Sequence, residues 1–220
     1  MLKRNFPMSR QNQIQTNEIY KNIPLEDIPW NIETPPQLLV ELVDGRKVQP
    51  CKTIDLGCGS GNYAIYLATR GFEMTGMDCA PTAIKIAKEN AQKKGVKCNF
   101  FAADVVDDLG KINQTWDFAY DWGLLHHIFP RQRPKYLANV HRILNPRCKY
   151  LSASLSEKDR GFGGSGKYRK TQLGTLLYFS SEDELRELFE THFEIIDQRT
   201  VEIKGKFESH TFNYLFTERK

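Results

Sequence analysis

The glycine-rich stretch DLGCGSGN, residues 55–62, limits the possible folds of this chain more than any other feature. It follows the apolar run KTI, and Gly57, Gly59 and Gly61 alternate with small residues. Glycine lets a backbone approach a ligand closely, and in open α/β sheets ligands bind at the carboxyl ends of the strands. The stretch therefore predicts a ligand, of a kind still to be decided, at the end of the first strand of an α/β sheet.

Short apolar runs and amphipathic helical patterns alternate after residue 52. The runs typical of strands are KTIDLG, FEMTGMD, VKCNFFAAD, WDFAYDWG and CKYLSASLS, and helical patterns lie between most of them. Such alternation implies parallel strands joined by right-handed crossovers. A further helix is predicted for SEDELRELFETH, which begins with a capping box, and an antiparallel hairpin for the last two strands, FEIIDQRTVEI and HTFNYLFTE. The prolines and Gly45 of PPQLLVELVDG predict a short helix before the first strand, whereas residues 1–25 are polar and carry little pattern.

Composition excludes several classes of protein. The 220 residues are 40% hydrophobic and 26% charged, which is ordinary for a globular domain. No uncharged apolar run approaches the roughly 18–20 residues of a membrane helix, and the N-terminus has no apolar core typical of a secretory signal. The five cysteines are irregularly spaced and predict reduced thiols. With a net charge of +4 and no recognisable nucleic-acid-binding module, we expect a cytoplasmic protein that binds neither membrane nor nucleic acid. No His, Cys and Asp set has metal-ligand spacing.

Charge and spacing at the glycine loop distinguish between possible nucleotides. The dinucleotide fingerprint needs a third glycine at position 62, where this chain has Asn62. Asp55 would repel a pyrophosphate about 4 Å away by about 1 kcal/mol in water and about 4 kcal/mol at an effective dielectric near 20, and would attract an ammonium group equally. Asp78 ends the second strand 21 residues after Gly57, a spacing that places a carboxylate beside ribose hydroxyls. The loop therefore favours a cationic, phosphate-free nucleoside over NAD.

A second glycine-rich stretch, GFGGSGKY at residues 161–168, resembles a phosphate-binding P-loop only in part. It has Tyr168 where a P-loop needs Ser or Thr, and no clear helix follows. We expect a flexible lid over the strand ends here instead.

The ordered motifs resemble those of the class I S-adenosylmethionine-dependent methyltransferases. The pieces IDLGCGSGN, GMD, AAD, WDFAYDWGLLHHI and YLANVHRILNP follow one another within residues 30–217. The resemblance implies an α/β, Rossmann-like, seven-stranded and mostly parallel sheet of order 3-2-1-4-5-7-6 with helices on both faces and a C-terminal antiparallel hairpin. It also implies S-adenosyl-L-methionine as methyl donor and S-adenosyl-L-homocysteine as product. We expect an N-terminal extension or lid at 1–33 and the methyltransferase domain at 34–220.

The same resemblance implies roles for individual residues. Asp55 would face the amino-acid end of the cofactor, and the three loop glycines would let the main chain approach its methionine and ribose. Asp78 would hold the ribose hydroxyls, and Asp104, with the backbone of the next residue, would bind the adenine edge. Asp121 and Trp122 would border the sulfonium and the incoming nucleophile. The expected cofactor-binding residues are Trp30, Asp55, Gly57, Cys58, Gly59, Gly61, Asp78, Cys79, Asp104, Val105 and Asp121.

A finer resemblance concerns the methyl acceptor. IPWNIETPP and DFAYDWGLLHHI resemble segments of the thiopurine, thiol/halide and tellurite-resistance methyltransferases. This implies a small-molecule acceptor, and a soft sulfur, selenium, tellurium or halide nucleophile is one candidate. Such a nucleophile needs little help, whereas a neutral acceptor needs a base, typically worth about 10²–10⁴-fold. The candidate catalytic residues are Asp121 and His126, and the use of a base stays open.

Three alternatives stand beside this interpretation. An RNA or protein methyltransferase is disfavoured because the fourth strand ends in DWGL, without the Asn/Asp-Pro-Pro-Tyr/Phe motif or a catalytic cysteine. A non-catalytic cofactor-binding module would bind the cofactor without turnover. A nicotinamide oxidoreductase of the short-chain type would need a Tyr-x-x-x-Lys pair, which this sequence lacks.

Overall fold

The computed structural model describes residues 8–162 and 165–220, with side chains from Arg10 onward. The helices are α1 (Met8–Asn22), α2 (Gln37–Asp44), α3 (Asn62–Thr69), α4 (Pro81–Lys94), α5 (Arg133–Ile143) and α6 (Glu182–Glu190). The strands are β1 (Lys52–Leu56), β2 (Glu73–Asp78), β3 (Cys98–Ala102), β4 (Trp116–Trp122), β5 (Leu144–Leu155), β6 (Tyr168–Lys170), β7 (Leu176–Tyr178), β8 (Phe193–Lys204) and β9 (Ser209–Arg219).

Seven strands form one sheet in the order β3-β2-β1-β4-β5-β9-β8. Strands β1 to β5 pair in parallel, whereas β9 is antiparallel to both β5 and β8. This confirms the predicted Rossmann-like topology and its C-terminal hairpin. The hairpin reverses the chain direction, so the turn between β8 and β9 lies at the edge of the sheet where the parallel strands end.

Apolar side chains cover both faces of the sheet. One buried cluster joins the strands to α5 and α6, and includes Tyr136, Tyr150 and Phe189. A second joins the opposite face to α2, α3 and α4, and includes Leu39 and Phe118. Helices therefore lie on both faces, as predicted, and the edge at the carboxyl ends of the parallel strands stays open to a ligand.

The local signals for helix ends are borne out. Helix α2 starts after Pro36 and ends at Gly45. Helix α6 has a complete capping box, in which Ser181 Oγ accepts from the Glu184 backbone N–H at 3.1 Å and Glu184 Oε2 accepts from the Ser181 N–H at 2.9 Å. No helix of the described residues is long and apolar enough to cross a bilayer.

Two elements differ from expectation. Helix α1 forms where the sequence shows little pattern, and its Ile19 and Tyr20 pack against Ala80 and Ala83 at the start of α4. Strands β6 and β7 form a separate antiparallel hairpin directly after the stretch expected to act as a lid, in a segment for which no strand was predicted. A strand rather than a helix follows GFGGSGKY, which excludes P-loop geometry; Gly163 and Gly164 of this stretch, and residues 1–7 of the expected extension, lie outside the described residues.

Candidate functional site

A cavity of about 1480 Å³ lies at the carboxyl ends of the parallel strands. Sites for one small ligand are typically about 300–1,000 Å³, so this cavity has room for two ligands side by side. One group of lining residues lies at or just after the carboxyl ends of β1, β2 and β3. We call this group the floor: Asp55, Gly57, Cys58, Gly59, Ser60, Asp78, Cys79, Ala103, Asp104, Val105 and Val106. Residues 12–36, which cover the floor, are called the roof.

The glycine loop has a left-handed backbone at each of its glycines, with φ of 78°, 52° and 80° at Gly57, Gly59 and Gly61. A Cβ at Gly59 would lie 2.6 Å from the Tyr20 hydroxyl of the roof. A Cβ at Gly61 would lie 2.8 Å from Phe100, so that glycine allows close packing of helix against sheet. Gly57 and Gly59 line the cavity but Gly61 does not, which corrects the expectation that all three approach a ligand.

Asp55 is a buried carboxyl group at the bottom of the floor. It is 3% exposed, and its Oδ2 accepts a hydrogen bond from Tyr120 Oη at 2.8 Å. Burial raises the pKa of Asp55 to about 8; the Tyr120 hydrogen bond opposes this, and the nearby charges of Asp78 and Asp121 add to it. A cationic group beside Asp55 would relieve this penalty, so the position suits an ammonium and not a phosphate.

Asp78 anchors the glycine loop and also lines the cavity. Its Oδ2 accepts from the Gly59 N–H at 2.9 Å, and its Oδ1 accepts from the Ala80 N–H at 2.8 Å. Burial raises the pKa of Asp78 despite these hydrogen bonds. The neighbouring Cys58 and Cys79 line the cavity, and burial raises the pKa of both thiols, which are therefore protonated and unreactive at neutral pH.

Asp104 and Val105 form the outer end of the floor. Asp104 Oδ1 accepts from the Val106 N–H at 2.7 Å, and its Oδ2 accepts from the Gln13 side chain of α1 at 2.6 Å. The backbone N–H of Val105 has no acceptor in the described part of the chain. On the edge of a planar base, the free N–H can donate to an acceptor atom while the neighbouring carboxylate accepts from a donor group.

Polar contacts hold the roof against the floor. Trp30 Nε1 donates to the Tyr20 hydroxyl at 3.0 Å, and Trp30 lines the cavity instead of packing in the core. Asn31 Oδ1 accepts from Ser60 Oγ at 2.5 Å and from Asn62 Nδ2 at 3.1 Å. Sequence reasoning singled out Trp30 but missed Tyr20, Asn31 and Gln13, because polar residues in a segment without apolar periodicity give no local signal.

Beyond the end of β4, the cavity has aromatic walls, and we call this part the aromatic chamber: Trp122, His126, Phe162, His210 and Phe212. Trp122 stacks on Phe212 with ring centroids 6.5 Å apart, and Phe162 stacks on His210 at 4.9 Å and 7°. His210 was missed by sequence reasoning. His210 shares a face of β9 with Phe212, since alternate residues of a strand do, but no local pattern indicates that this face lines a cavity.

His126 lines the chamber as a neutral hydrogen-bond donor. Its Nδ1 accepts from the backbone N–H of Leu155 at 3.2 Å, which leaves the ring proton on Nε2. Burial lowers the pKa of His126 well below its ordinary value, and lowers the pKa of His127 to about 4. The geometry therefore corrects the expectation that His126 takes a proton from the acceptor. Arg133 fixes this turn by donating to the Leu125 and Ile128 carbonyls at 3.0 and 2.7 Å.

Asp121 lies outside the cavity, contrary to expectation. Its side chain is fully buried on the opposite face of the sheet, where Oδ2 accepts from Tyr136 Oη at 3.2 Å and from Tyr150 Oη. Successive residues of a strand point to opposite faces, so Tyr120 and Trp122 face the cavity side and Asp121 does not. Burial raises the pKa of Asp121 to about 6, although hydrogen bonds from its tyrosines oppose the shift.

Within the described residues, no group of three or more His, Cys, Asp and Glu side chains is arranged to hold a metal ion. The three carboxyl groups of the floor each accept a hydrogen bond from another part of the chain: Asp55 from Tyr120, Asp78 from the Gly59 N–H and Asp104 from Gln13.

Comparison with known proteins finds similarity to methyltransferases over part of the chain. Residues 54–147 match the family described as "Methyltransferase domain". The chain is 32% identical over 124 residues to 2-heptyl-1-hydroxyquinolin-4(1H)-one methyltransferase of Mycobacteroides abscessus, a match that covers 56% of this chain and 54% of that protein. It is 26% identical over 106 residues to the probable S-adenosyl-L-methionine-dependent methyltransferase TehB of Haemophilus influenzae, covering 48% and 36%. The matched segments thus span about half or less of the length of these relatives.

A solved structure shares the fold over the whole chain. The 1,6-didemethyltoxoflavin-N1-methyltransferase of Burkholderia thailandensis, with bound 1,6-didemethyltoxoflavin and S-adenosylhomocysteine, superposes with a TM-score of 0.74 at 20% identity. The superposition covers 100% of this chain and 93% of that one. At this identity the likeness concerns the fold alone.

Proposed function

We propose that the chain is a class I S-adenosylmethionine-dependent methyltransferase, which transfers a methyl group from S-adenosylmethionine to a small organic molecule bound in the aromatic chamber. The relationship to TehB agrees with the tellurite-resistance branch of the resemblance.

One observation carries this proposal: a single cavity joins a floor lined by carboxylates to a chamber lined by aromatic rings. Asp55, Asp78 and Asp104 all belong to the floor, and in their ionised forms they would repel a dinucleotide pyrophosphate or the phosphates of ATP. The same carboxylates would attract a positively charged adenosyl amino acid. The volume beyond it is left for a second, uncharged or aromatic molecule.

The residues of the floor fit the parts of this cofactor. Asp55 would hold the ammonium, Asp78 the ribose hydroxyls, and Asp104 with the Val105 N–H the adenine edge. The cofactor supplies an electrophilic methyl group on a sulfonium. The task of the protein is then alignment and exclusion of water, and holding two reactants in line can supply roughly 7–11 kcal/mol of the barrier. The aromatic face of Trp122 would stabilise a nearby cation by roughly 0.5–2 kcal/mol.

The roof completes this arrangement. Tyr20, Trp30 and Asn31 close over the glycine loop by side-chain contacts, and residues 1–33 contain all three. We therefore propose that the N-terminal segment acts as a lid on residues 34–220.

The acceptor is an organic molecule in this proposal, with the soft sulfur, selenium, tellurium or halide nucleophile as a competing hypothesis. A monatomic halide would leave most of the chamber empty, whereas stacked rings such as Trp122 on Phe212 fit a flat molecule. The relative named for a hydroxyquinolinone supports an acceptor of that size. Turnover of iodide and thiols but of no ring compound would favour the competing hypothesis.

Two matched variants test the assignment of the floor. Asp55 and Asp121 are both buried carboxyl groups that accept from tyrosines, but only Asp55 lines the cavity. Asp55→Asn should weaken S-adenosylhomocysteine binding by about 100-fold, since an ion pair near a dielectric of 20 is worth up to about 4 kcal/mol. Asp121→Asn should leave the affinity of the folded protein unchanged within about twofold.

Isothermal titration calorimetry measures both affinities, with circular dichroism to confirm folding. Equal affinities for the two variants would contradict the placement of the ammonium beside Asp55. Binding of NADH without any binding of S-adenosylhomocysteine would contradict the proposed function as a whole, and binding of RNA that weakens steeply with salt would point to the nucleic-acid alternative.

A further inference from the structure

We propose that His210, positioned by Asp159, is the base that removes a proton from the methyl acceptor, and that this acceptor is a planar aromatic compound with a weakly acidic O–H or N–H group. The inference rests on the proposed methyl transfer and adds to it a catalytic residue and a substrate class.

His210 is placed to meet a ligand in the chamber. It lies near the start of β9, lines the same cavity as the glycine loop, and its side chain is 16% exposed. One face of its ring is stacked on Phe162, while Phe212 on the same strand stacks on Trp122. Aromatic rings in the wall of a cavity favour an aromatic guest, because aromatic rings prefer offset-stacked or edge-to-face contacts.

Asp159 is held as a carboxylate beside this histidine. Its side chain is 2% exposed, Oδ1 accepts from the Gly161 N–H at 2.7 Å, and Oδ2 accepts from the Thr211 N–H at 2.5 Å. Although burial opposes the effect, the neighbouring His210 ring and hydrogen bonds from the Thr211 and Gly161 N–H groups keep the pKa of Asp159 below its usual range. The neighbouring glycine is required for space, since a Cβ at Gly161 would lie 2.8 Å from Asp159 Oδ1 and 3.0 Å from His210 Cε1.

The position of Asp159 decides which nitrogen of His210 can act. Asp159 Oδ2 lies 3.4 Å from His210 Nδ1, an ion-pair distance longer than a good hydrogen bond, and favours a proton on that nitrogen. Nε2 then carries the free lone pair. It lies 3.6 Å from Oε1 of Glu208, which is exposed on the preceding turn. The imidazolium ring formed when Nε2 takes up a proton therefore has one carboxylate near each of its nitrogens.

The two histidines of the chamber thus have opposite properties. Contact with Asp159 raises the pKa of His210 above its ordinary value, with burial opposing and Glu208 adding to the effect. A further titratable group of the chamber is His126, which is neutral and presents Nε2–H. A pair of groups whose environments move their pKa values apart is the arrangement expected for one proton acceptor and one hydrogen-bond donor.

The proposed step balances without any further reactant. The O–H or N–H bond of the acceptor breaks, and its proton moves to His210 Nε2. The freed electron pair of the heteroatom forms a bond to the methyl carbon, and the methyl–sulfur bond breaks with its electrons remaining on sulfur. The products are the methylated acceptor and a neutral thioether, and His210 afterwards returns its proton to solvent.

A base is useful only for an acceptor that arrives protonated, and this provides the test. The probes are 1-hydroxyquinolin-4(1H)-one, a flat compound with an N–OH group, and iodide, which has no proton to lose. His210→Gln should lower kcat for the hydroxyquinolinone at least 100-fold, in keeping with the usual contribution of a base, and change kcat for iodide by less than about threefold. His192→Gln, on a histidine outside the cavity, should change neither.

The pH profile of kcat/KM shows whether Asp159 positions His210 or only stabilises the fold. Asp159→Asn removes the carboxylate that raises the pKa of His210, so the ascending limb of kcat/KM against pH for the hydroxyquinolinone should move to lower pH. Unchanged turnover of the hydroxyquinolinone by His210→Gln, an equal loss with both probes, or an unmoved pH profile in Asp159→Asn would overturn the inference.

The remaining outcomes are decided by binding. If S-adenosylhomocysteine binds and iodide is methylated, but the hydroxyquinolinone does not bind to the complex by tryptophan fluorescence, this inference fails and methyl transfer stands. If S-adenosylhomocysteine does not bind, the proposed function itself fails. If the hydroxyquinolinone binds without turnover, an NMR titration decides: a change in the pKa of His210 on binding, absent in Asp159→Asn, supports the inference, and no change overturns it.

Discussion

The floor and the aromatic chamber are two halves of one cavity, built in opposite ways. In the floor, each carboxyl group accepts a hydrogen bond from a group close to it in the sequence or on the adjacent strand, as Asp78 does from Ala80 and Asp104 from Val106, although Asp104 also accepts from Gln13 of the roof. The chamber brings together side chains from distant segments, among them Trp122 of β4 and His210 of β9. The cofactor half of such a fold is therefore defined by short local motifs, and the acceptor half by long-range packing that differs from chain to chain.

The largest expected effect comes from Gly61, which lies outside the floor but connects the glycine loop to α3. Gly61→Ala places a Cβ at φ 80° and within 3 Å of Phe100 and Ala87. A left-handed conformation costs an L-residue roughly 1–2 kcal/mol, and overpacking costs roughly 1–3 kcal/mol more. We expect the free energy of unfolding in urea to fall by about 2–5 kcal/mol, the sum of these two costs.

Gly95→Ala is the matched control for this substitution. Gly95 also has a left-handed backbone, with φ 71°, but no atom lies within 4 Å of its missing Cβ. It should show only the conformational cost, about 1–2 kcal/mol. Equal losses for the two variants would mean that Gly61 is not needed for helix–sheet packing.

The same contrast explains what the sequence could predict. The strands, the sheet order and the position of Asp55 and Asp78 follow from patterns within a few residues, because alternation of strands and helices and a glycine loop are local properties. The prediction for Asp121 is wrong about its face of the sheet because residues 119–122 are buried or half-buried on both sides. Without alternating polarity, a central strand gives no sign of which residues face the ligand.

The chamber and roof could not be predicted for a different reason. The hydrogen bond from Leu155 that fixes the tautomer of His126 joins residues 29 positions apart. Asn12 of α1 donates to the Leu176 carbonyl across 164 positions. Contacts of this range have no periodic signature, so neither the position of His210 nor the existence of α1 is visible until the segments are packed together.

A second prediction concerns pH and separates the charged floor from the chamber. The pKa of Asp55 is raised to about 8 by burial, and only its ionised form attracts an ammonium group. The affinity for S-adenosylhomocysteine should therefore rise by about 50-fold between pH 6 and pH 8, with release of nearly one proton at pH 7. The sign reverses for stability: the unliganded folded protein binds this proton more tightly than the unfolded chain, so its contribution to stability falls as pH rises from about 4 to 8.

Calorimetry in two buffers of different ionisation enthalpy measures the proton release. Asp55→Asn should bind weakly and with no dependence on pH in this range. Binding of equal affinity at pH 6 and pH 8 in the parent protein would show that Asp55 is already ionised before the ligand arrives.

A third prediction sharpens the link between roof and floor. Asn31→Ala removes the acceptor of the hydrogen bonds from Ser60 and Asn62. Each is worth roughly 0.5–1.5 kcal/mol, so we expect S-adenosylhomocysteine to dissociate about tenfold faster in a stopped-flow displacement experiment. Asn99→Ala, at an exposed position of β3, is the control. An unchanged dissociation rate would contradict the proposal that the roof acts as a lid over the bound cofactor.

The smallest expected effect concerns the point where roof and chamber meet. Lys206, in the turn between β8 and β9, donates to the Leu25 and Asn31 carbonyls of the roof at 3.0 and 3.1 Å. Because this contact is largely exposed, Lys206→Met should change binding by only about threefold, as expected for surface charge interactions. Lys94→Met, on an exposed lysine at the end of α4 and outside the cavity, is the control. If floor and chamber are built independently, KM for the acceptor rises and cofactor dissociation is unchanged. If the acceptor KM and the cofactor dissociation rate change together, the roof couples the floor to the chamber. The two halves then differ in how they are built but do not act independently in binding.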